Sequence, residues 1–187
     1  MVHMVHNKNN IESEIILLLL RGEYHLRGIA KALSESHSTV LRKLDKLTKE
    51  NVVDYKIEGK NKVFSLKINL QTKNYVFNAE MYKLIKLLKK YPELNIIIEE
   101  LLKKSEERPI ILFGSYAKFT AKKDSDIDIY VETRSRRVKE EIESLYSKIK
   151  VKIGDFDTDS QLIMEIIKNH IILKGVEDFY GKTKFFD

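Results

Sequence analysis

The chain has 187 residues, 43% hydrophobic and 33% charged, with a formal net charge of +6 and no cysteine. That balance lies in the folded globular range and excludes a long disordered tail. The lack of cysteine excludes disulfides and thiolate zinc sites, so any metal must take oxygen or imidazole ligands. The longest apolar run, Ile15 to Leu20, falls far short of the roughly 20 residues a membrane helix needs, and Met1 to Asn10 lacks the features of a secretory leader; the expected place is the cytoplasm, with no membrane. Basic residues exceed acidic ones by 12 to 8 over residues 1–72 and by 22 to 20 over residues 73–187, an N-terminal excess that favours a polyanionic partner.

In chain order, Ile11 to Leu20 predicts a helix with Asn10 as N-cap and Gly22 as its stop. His25 to Leu33 predicts a second, with Leu26, Ile29, Ala30 and Leu33 at helical spacing, and Ser34 to His37 a short polar turn. A third helix follows, capped by Ser36 or Ser38, with Val40, Leu41, Leu44 and Leu47 as its stripe and Arg42, Lys43, Lys46 and Lys49 on its other faces. Val52 to Ile57 and Val63 to Ile68 predict two strands around Glu58-Gly59-Lys60-Asn61, a tight hairpin turn. Three helices and a hairpin in that order resemble the winged helix-turn-helix regulators of the ArsR and MarR type. The resemblance implies double-stranded DNA as a partner, with Ser36, His37, Ser38, Thr39, Arg42 and Lys43 facing the major groove and Lys60 and Lys62 reaching phosphate from the wing.

Asn69 to Tyr75 reads as a polar connection, and Asn78 to Lys90 as an amphipathic helix whose Met81, Leu84, Ile85 and Leu88 suit interdomain core first and a homodimer surface second. Pro92 interrupts, and Leu94 to Leu102 resumes a helix. Beyond it strands and helices alternate: strand Ile110–Phe113, helix Ser115–Phe119, strand Ile127–Val131, helix Arg137–Ile149, strand Val151–Ile153, helix Ser160–Lys168 and apolar Ile171–Leu173. The expected fold class is α+β in two domains, a winged helix-turn-helix over 1–70, a helical linker over 71–105, and an α/β domain with a mixed sheet over 106–187.

Two junctions carry chemistry. Gly114 lacks a side chain that would block a triphosphate, and Ser115 offers a hydroxyl at a helix start. Asp126 and Asp128, two apart on a strand, project from one face and can chelate jointly, which suits Mg²⁺ or Mn²⁺ with substrate phosphate. The stretch Ile111-Leu-Phe-Gly-Ser-Tyr-Ala through Ser125-Asp-Ile-Asp-Ile-Tyr-Val resembles the minimal nucleotidyltransferase family of the DNA polymerase beta superfamily over roughly the last 80 residues. The resemblance implies that Gly114 and Ser115 hold the phosphates of a nucleoside triphosphate, that Asp126 and Asp128 bind the catalytic metal, and that a HEPN-type protein is a partner. Phe119 stands where the family commonly has a second glycine. A third carboxylate usually lies on the next strand; Asp155 and Asp157 are candidates, with Asp157 preferred, unless Gly154 already begins the turn. His3, His6, His25, His37 and His170 show no ligand spacing. Abundant Lys, Glu and Ile, with Gln confined to Gln71 and Gln161, resembles thermophile usage, and the two-part resemblance is to archaeal-type proteins. The leading expectation is a DNA-binding, Mg²⁺-dependent nucleotidyltransferase moving AMP from ATP to an acceptor hydroxyl. The alternative is a non-catalytic regulator that senses nucleotide or binds a partner through the same fold.

Overall fold

The computed structural model describes residues 10–186. The expectations placed on Met1 to Asn9, including His3 and His6, lie outside the described residues. No helix among the described residues is long and apolar enough to cross a membrane. The chain divides into two compact units, Met1–Tyr82 and Lys83–Asp187.

The first unit begins with α1 (Ile11–Leu19), where the Asn10 side chain accepts from the Ser13 amide at 3.3 Å. A two-residue strand, β1 (Tyr24–His25), precedes α2 (Leu26–Leu33), and α3 (His37–Lys49) follows after a left-handed Ser34. The hairpin is β2 (Val53–Glu58) and β3 (Asn61–Leu66), closed by Glu58 opposite Asn61. Gly59 between them takes φ +61°, the positive value that tight hairpin turns require at their first central residue. β1 pairs with the free edge of β3, making a three-stranded sheet ordered β1-β3-β2. Because His25 pairs with Val63, it belongs to that sheet, and the second helix starts one residue later than its periodicity predicts. Ile15, Ile16 and Leu19 of α1, Ile29 of α2, Val40, Leu44 and Leu47 of α3, and Val53, Val63 and Phe64 of the hairpin are buried. This element order, with a hairpin after the third helix, is a winged helix-turn-helix.

The next helix, α4 (Leu70–Lys90), starts eight residues before the expected Asn78. The polar residues read as a connection are its N-terminus: the Asn69 side chain accepts from the Thr72 amide at 2.8 Å, and the buried Thr72 hydroxyl donates to the Val52 carbonyl at 3.2 Å. A capping Asn followed by a satisfied buried hydroxyl looks like a loop to any reading of apolar spacing.

The second unit is built on a four-stranded mixed sheet ordered β6-β5-β4-β7, where β4 is Ile110–Phe113, β5 Ile127–Glu132, β6 Ile149–Gly154 and β7 Ile171–Lys174. β4 runs antiparallel to β5 and β7; β5 and β6 are parallel, joined through α7 (Arg136–Glu143). One sheet face presents Ile110, Leu112, Ile127, Ile129, Val131, Ile149 and Val151 to a core shared with Leu87 and Tyr91 and with Leu94, Ile98 and Leu101 of α5 (Leu94–Lys104). Residues expected to be linker therefore contribute to this core. α7 stops at Glu143 rather than near Ile149, because Ile149 is needed in the sheet and the Glu143 carboxylate accepts from the Val151 amide at 2.9 Å. On the opposite face Tyr130 leads into edge-to-face contacts through Phe156 to Phe179 of α9 (Val176–Lys182), a helix the sequence reading did not assign. Between them lies α8 (Gln161–Lys168), capped by Ser160.

Candidate nucleotide site and nucleic-acid surface

At the end of β4 the chain turns into a four-residue helix, α6 (Gly114–Ala117). The antiparallel register sets Phe113 opposite Asp128, so Gly114 begins the turn beside that carboxylate. Gly114 has φ +69°, and a Cβ built on it would lie 2.2 Å from Asp128 Oδ2 and 3.1 Å from its Cγ. No side chain other than hydrogen fits there, and the positive φ independently favours glycine. Backbone and carboxylate thus close on each other, and the first amides of α6 have no partner within the helix. Ser115, half-buried, is the next residue; its carbonyl accepts from the Thr120 amide at 2.9 Å.

Ile127 and Ile129 enter the core, so Asp126, Asp128 and Tyr130 share the other face. Asp126 is exposed and Asp128 half-buried. Burial, and then the neighbouring Asp126 charge, push the Asp128 carboxyl above its ordinary value, while Lys152 acts in the opposite sense. The turn leading into Asp126 is fixed by Ser125, whose Oγ accepts from the Lys122 amide at 2.9 Å while its own amide donates to the Lys122 carbonyl at 3.0 Å.

Phe119 occupies the position of the resemblance's second glycine and takes φ +57°, a glycine-like conformation in a bulky residue. Its amide donates to the Tyr116 carbonyl at 2.9 Å, its carbonyl accepts from Lys90 Nζ at 2.5 Å, and its ring packs on the core with Lys86 and Lys90 ammoniums 5.7 and 5.9 Å from the centroid.

The structure brings Gly114, Ser115, Asp126 and Asp128 together. It does not bring Asp157. Gly154, at φ +155°, ends β6, and the register pairs Asp128 with Lys150 at the other end of that strand, about 13 Å away at ~3.3 Å per residue. Asp157 lies beyond, its carboxylate accepting from the Asp159 amide at 3.0 Å, and the α8 cap is Ser160 rather than Asp157 or Asp159. Asp155 forms a two-point ion pair with Arg134, at 3.0 and 2.5 Å, which holds its carboxyl below the ordinary range. On the site face β6 instead presents Lys150 and Lys152, the partners of Asp128 and Tyr130, whose only signal in the sequence is the alternation of lysine with Ile and Val. Among the described residues no group of three or more His, Asp or Glu could hold a metal ion. Two hard oxygen donors on one face do suit a cation that completes its shell from water and substrate phosphate, as Mg²⁺ does.

In the first unit, Ser36 caps α3, accepting from the Thr39 amide at 3.1 Å and donating to the Thr39 hydroxyl at 2.9 Å. With Val40, Leu44 and Leu47 inward, the 100° step per residue points Ser38, Arg42, Asp45 and Lys49 outward, and all four are exposed, as is His37. Lys43 departs from the expected surface. Its ammonium lies 2.8 Å from Glu12 of α1, with Lys46 2.9 Å from the same carboxylate. Partial burial alone would raise the Glu12 carboxyl, but the two ammoniums outweigh it and hold the group below its ordinary value. On the wing Lys60 and Lys62 are exposed, and Lys62 Nζ sits 3.9 Å over the Tyr55 ring.

Residues 94–179 match the family model described as nucleotidyltransferase domain. No curated protein matches the chain. Among solved structures, reduced HlyU from Vibrio cholerae is similar at 19% identity and TM-score 0.36, covering 40% of this chain and 78% of its own. The homodimeric winged helix-turn-helix DNA-binding domain Mb0332 from Mycobacterium bovis is similar at 20% identity and TM-score 0.33, over 54% and 79%. A toxin–antitoxin structure with AMP-PNP is similar at 22% identity and TM-score 0.33, over 56% and 78%.

The close approach has a measurable consequence for stability. Gly114→Ala is expected to cost more than the ~1 kcal/mol of a positive φ alone, because Asp128 must also move. In an Asp128→Ala background the extra cost should fall, since the carboxylate is gone and only the residue-128 Cβ at 3.3 Å remains, as a double-mutant cycle by urea unfolding would read. Equal costs in both backgrounds would contradict the packing.

Proposed function

We propose that this chain binds double-stranded DNA through its first unit and, through its second, transfers a nucleoside monophosphate, most simply AMP from ATP, to an acceptor hydroxyl. The reading is supported above all by the Gly114 backbone lying against Asp128, with Asp126 on the same sheet face, inside the segment that matches the nucleotidyltransferase domain. Asp126 and Asp128 would hold a divalent cation, Mg²⁺ or Mn²⁺, which when bound neutralises phosphate charge during transfer. Gly114 and Ser115 would bring backbone amides to the phosphates, the missing side chain at Gly114 letting the backbone lie against Asp128. In the transfer itself the acceptor oxygen bonds to the α-phosphorus, the bond from that phosphorus to the bridging oxygen breaks, and pyrophosphate leaves. The hydroxyl proton passes to solvent, because no carboxylate lies on the site face of β6. A HEPN-type protein as acceptor, a homodimer through exposed Met81 and Ile85 of α4, and a cytoplasmic, archaeal-type setting complete the proposal.

One observation favours a second reading, nucleotide sensing without transfer: lysines rather than a carboxylate face Asp128 from β6. Calorimetric titration with ATP, with and without Mg²⁺, paired with transfer of label from ATP in cell extract, separates the two. Asp126→Asn and Asp128→Asn are each expected to weaken Mg²⁺-dependent ATP binding by roughly tenfold or more, about 1.4 kcal/mol, while the fold survives. Equal binding by wild type and both variants, or no binding by any, sinks the site. Binding without label transfer selects sensing.

For DNA, Lys60→Ala with Lys62→Ala should lower affinity for any duplex and flatten the log–log salt dependence by about 0.9 per lost phosphate contact. Arg42→Ala should also change sequence preference. Lys43→Ala, whose charge is spent on Glu12, should lower stability and leave the salt slope alone. A salt slope unchanged in the wing variants contradicts the assignment.

A further inference from the structure

From Lys148 through β6 the chain alternates Lys148, Lys150 and Lys152 with Ile149, Val151 and Ile153, and the apolar set enters the core. The lysines therefore share the face of Asp126 and Asp128, with Lys150 beside Asp128 and Lys152 beside Tyr130 in the parallel register. Lys148 is committed, donating to the Lys123 carbonyl at 2.6 Å and lying 3.9 Å from Asp124. Lys150 and Lys152 are exposed, and among the described residues neither ammonium makes a hydrogen bond or ion pair.

A site that holds two divalent ions needs carboxylates to share between them. Here the strand next to Asp128 offers fixed positive charge at the positions where another carboxylate would project, which repels a second cation and attracts phosphate oxygens. We infer that Lys150 and Lys152 together replace a second metal ion, so that the site takes a nucleoside triphosphate with one divalent cation at Asp126 and Asp128 and with ammonium groups against the phosphates. This rests on the proposed nucleotide site. Lysines on an edge strand also blunt strand addition, but that role leaves triphosphate binding indifferent to their removal.

The test is a Mn²⁺ titration followed by electron paramagnetic resonance on the full chain with α,β-methylene-ATP, alongside calorimetry with the same analogue and with AMP. Wild type is expected to hold one Mn²⁺ per chain. Lys150→Gln and Lys152→Gln should each weaken binding of the analogue, about tenfold or ~1.4 kcal/mol when combined. Both should flatten its salt dependence, leave AMP binding little changed, and melt as wild type does, since both side chains are exposed. Lys152→Asp should admit a second Mn²⁺. Two ions on wild type, or Gln variants that bind the analogue as wild type does, overturn the inference while leaving the nucleotide site standing. No analogue binding by wild type overturns that site and this inference with it.

Discussion

The Gly114 backbone lies against the Asp128 carboxylate, and the arrangement of the second unit is what holds it there. The contact follows from register: with Phe113 opposite Asp128, the residue after β4 has nowhere to go but over that carboxylate. Register in turn is set by the apolar residues on the other face, since a one-residue slip of β5 would send Ile127 and Ile129 to solvent and the aspartates into the core. Burying the Asp128 carboxyl costs free energy, seen in its raised pKa. A core of fully buried Ile, Leu and Val side chains, each contributing on the order of 1.5–3 kcal/mol, readily offsets that cost. A half-buried carboxylate kept beside open backbone is of little use to the fold. In the proposed function it holds a cation that shares its shell with phosphate.

The first unit divides its cations by the same logic. Those of α3 nearest α1, Lys43 and Lys46, are spent on Glu12, pinning the two helices. Arg42 and Lys49 look outward. Glu50, at the end of α3, accepts from the Tyr75 hydroxyl of α4 and lies 3.8 Å from Lys46, so ion pair and hydrogen bond tie three helices of this unit together. A basic helix therefore offers a smaller interactive surface than its composition suggests, and one sharpened to a single face.

Strong periodicity and turn chemistry made much of this legible in advance. The alternation around Asp126 and Asp128, the Gly-Ser after an apolar run, and the Gly59 hairpin all declare themselves locally, because one residue type satisfies one backbone requirement. What escaped was tertiary. The start of α4 depends on Thr72 reaching the Val52 carbonyl from twenty residues away. Lys43 looks free until α1 is laid beside α3. The alternation of lysine with Ile and Val from Lys148 to Ile153 is plain in the sequence, but nothing local says that it, rather than Asp155 or Asp157, lies beside Asp128. Only pairing with β5 shows that the lysines face Asp128 and that Gly154 ends the strand first. Phe119 is the reverse case: a residue wrong for its φ by propensity is held there by its ring in the core and by Lys90 on its carbonyl.

The most direct test of the account is a crystal structure grown with Mn²⁺ and a non-hydrolysable nucleoside triphosphate, with the metal located by anomalous scattering. The account places one peak between Asp126 and Asp128, about 2.0–2.3 Å from a carboxylate oxygen of each, with the phosphates over Gly114 and Ser115. A metal peak bound away from these aspartates, or phosphates seated elsewhere on the chain, would contradict it.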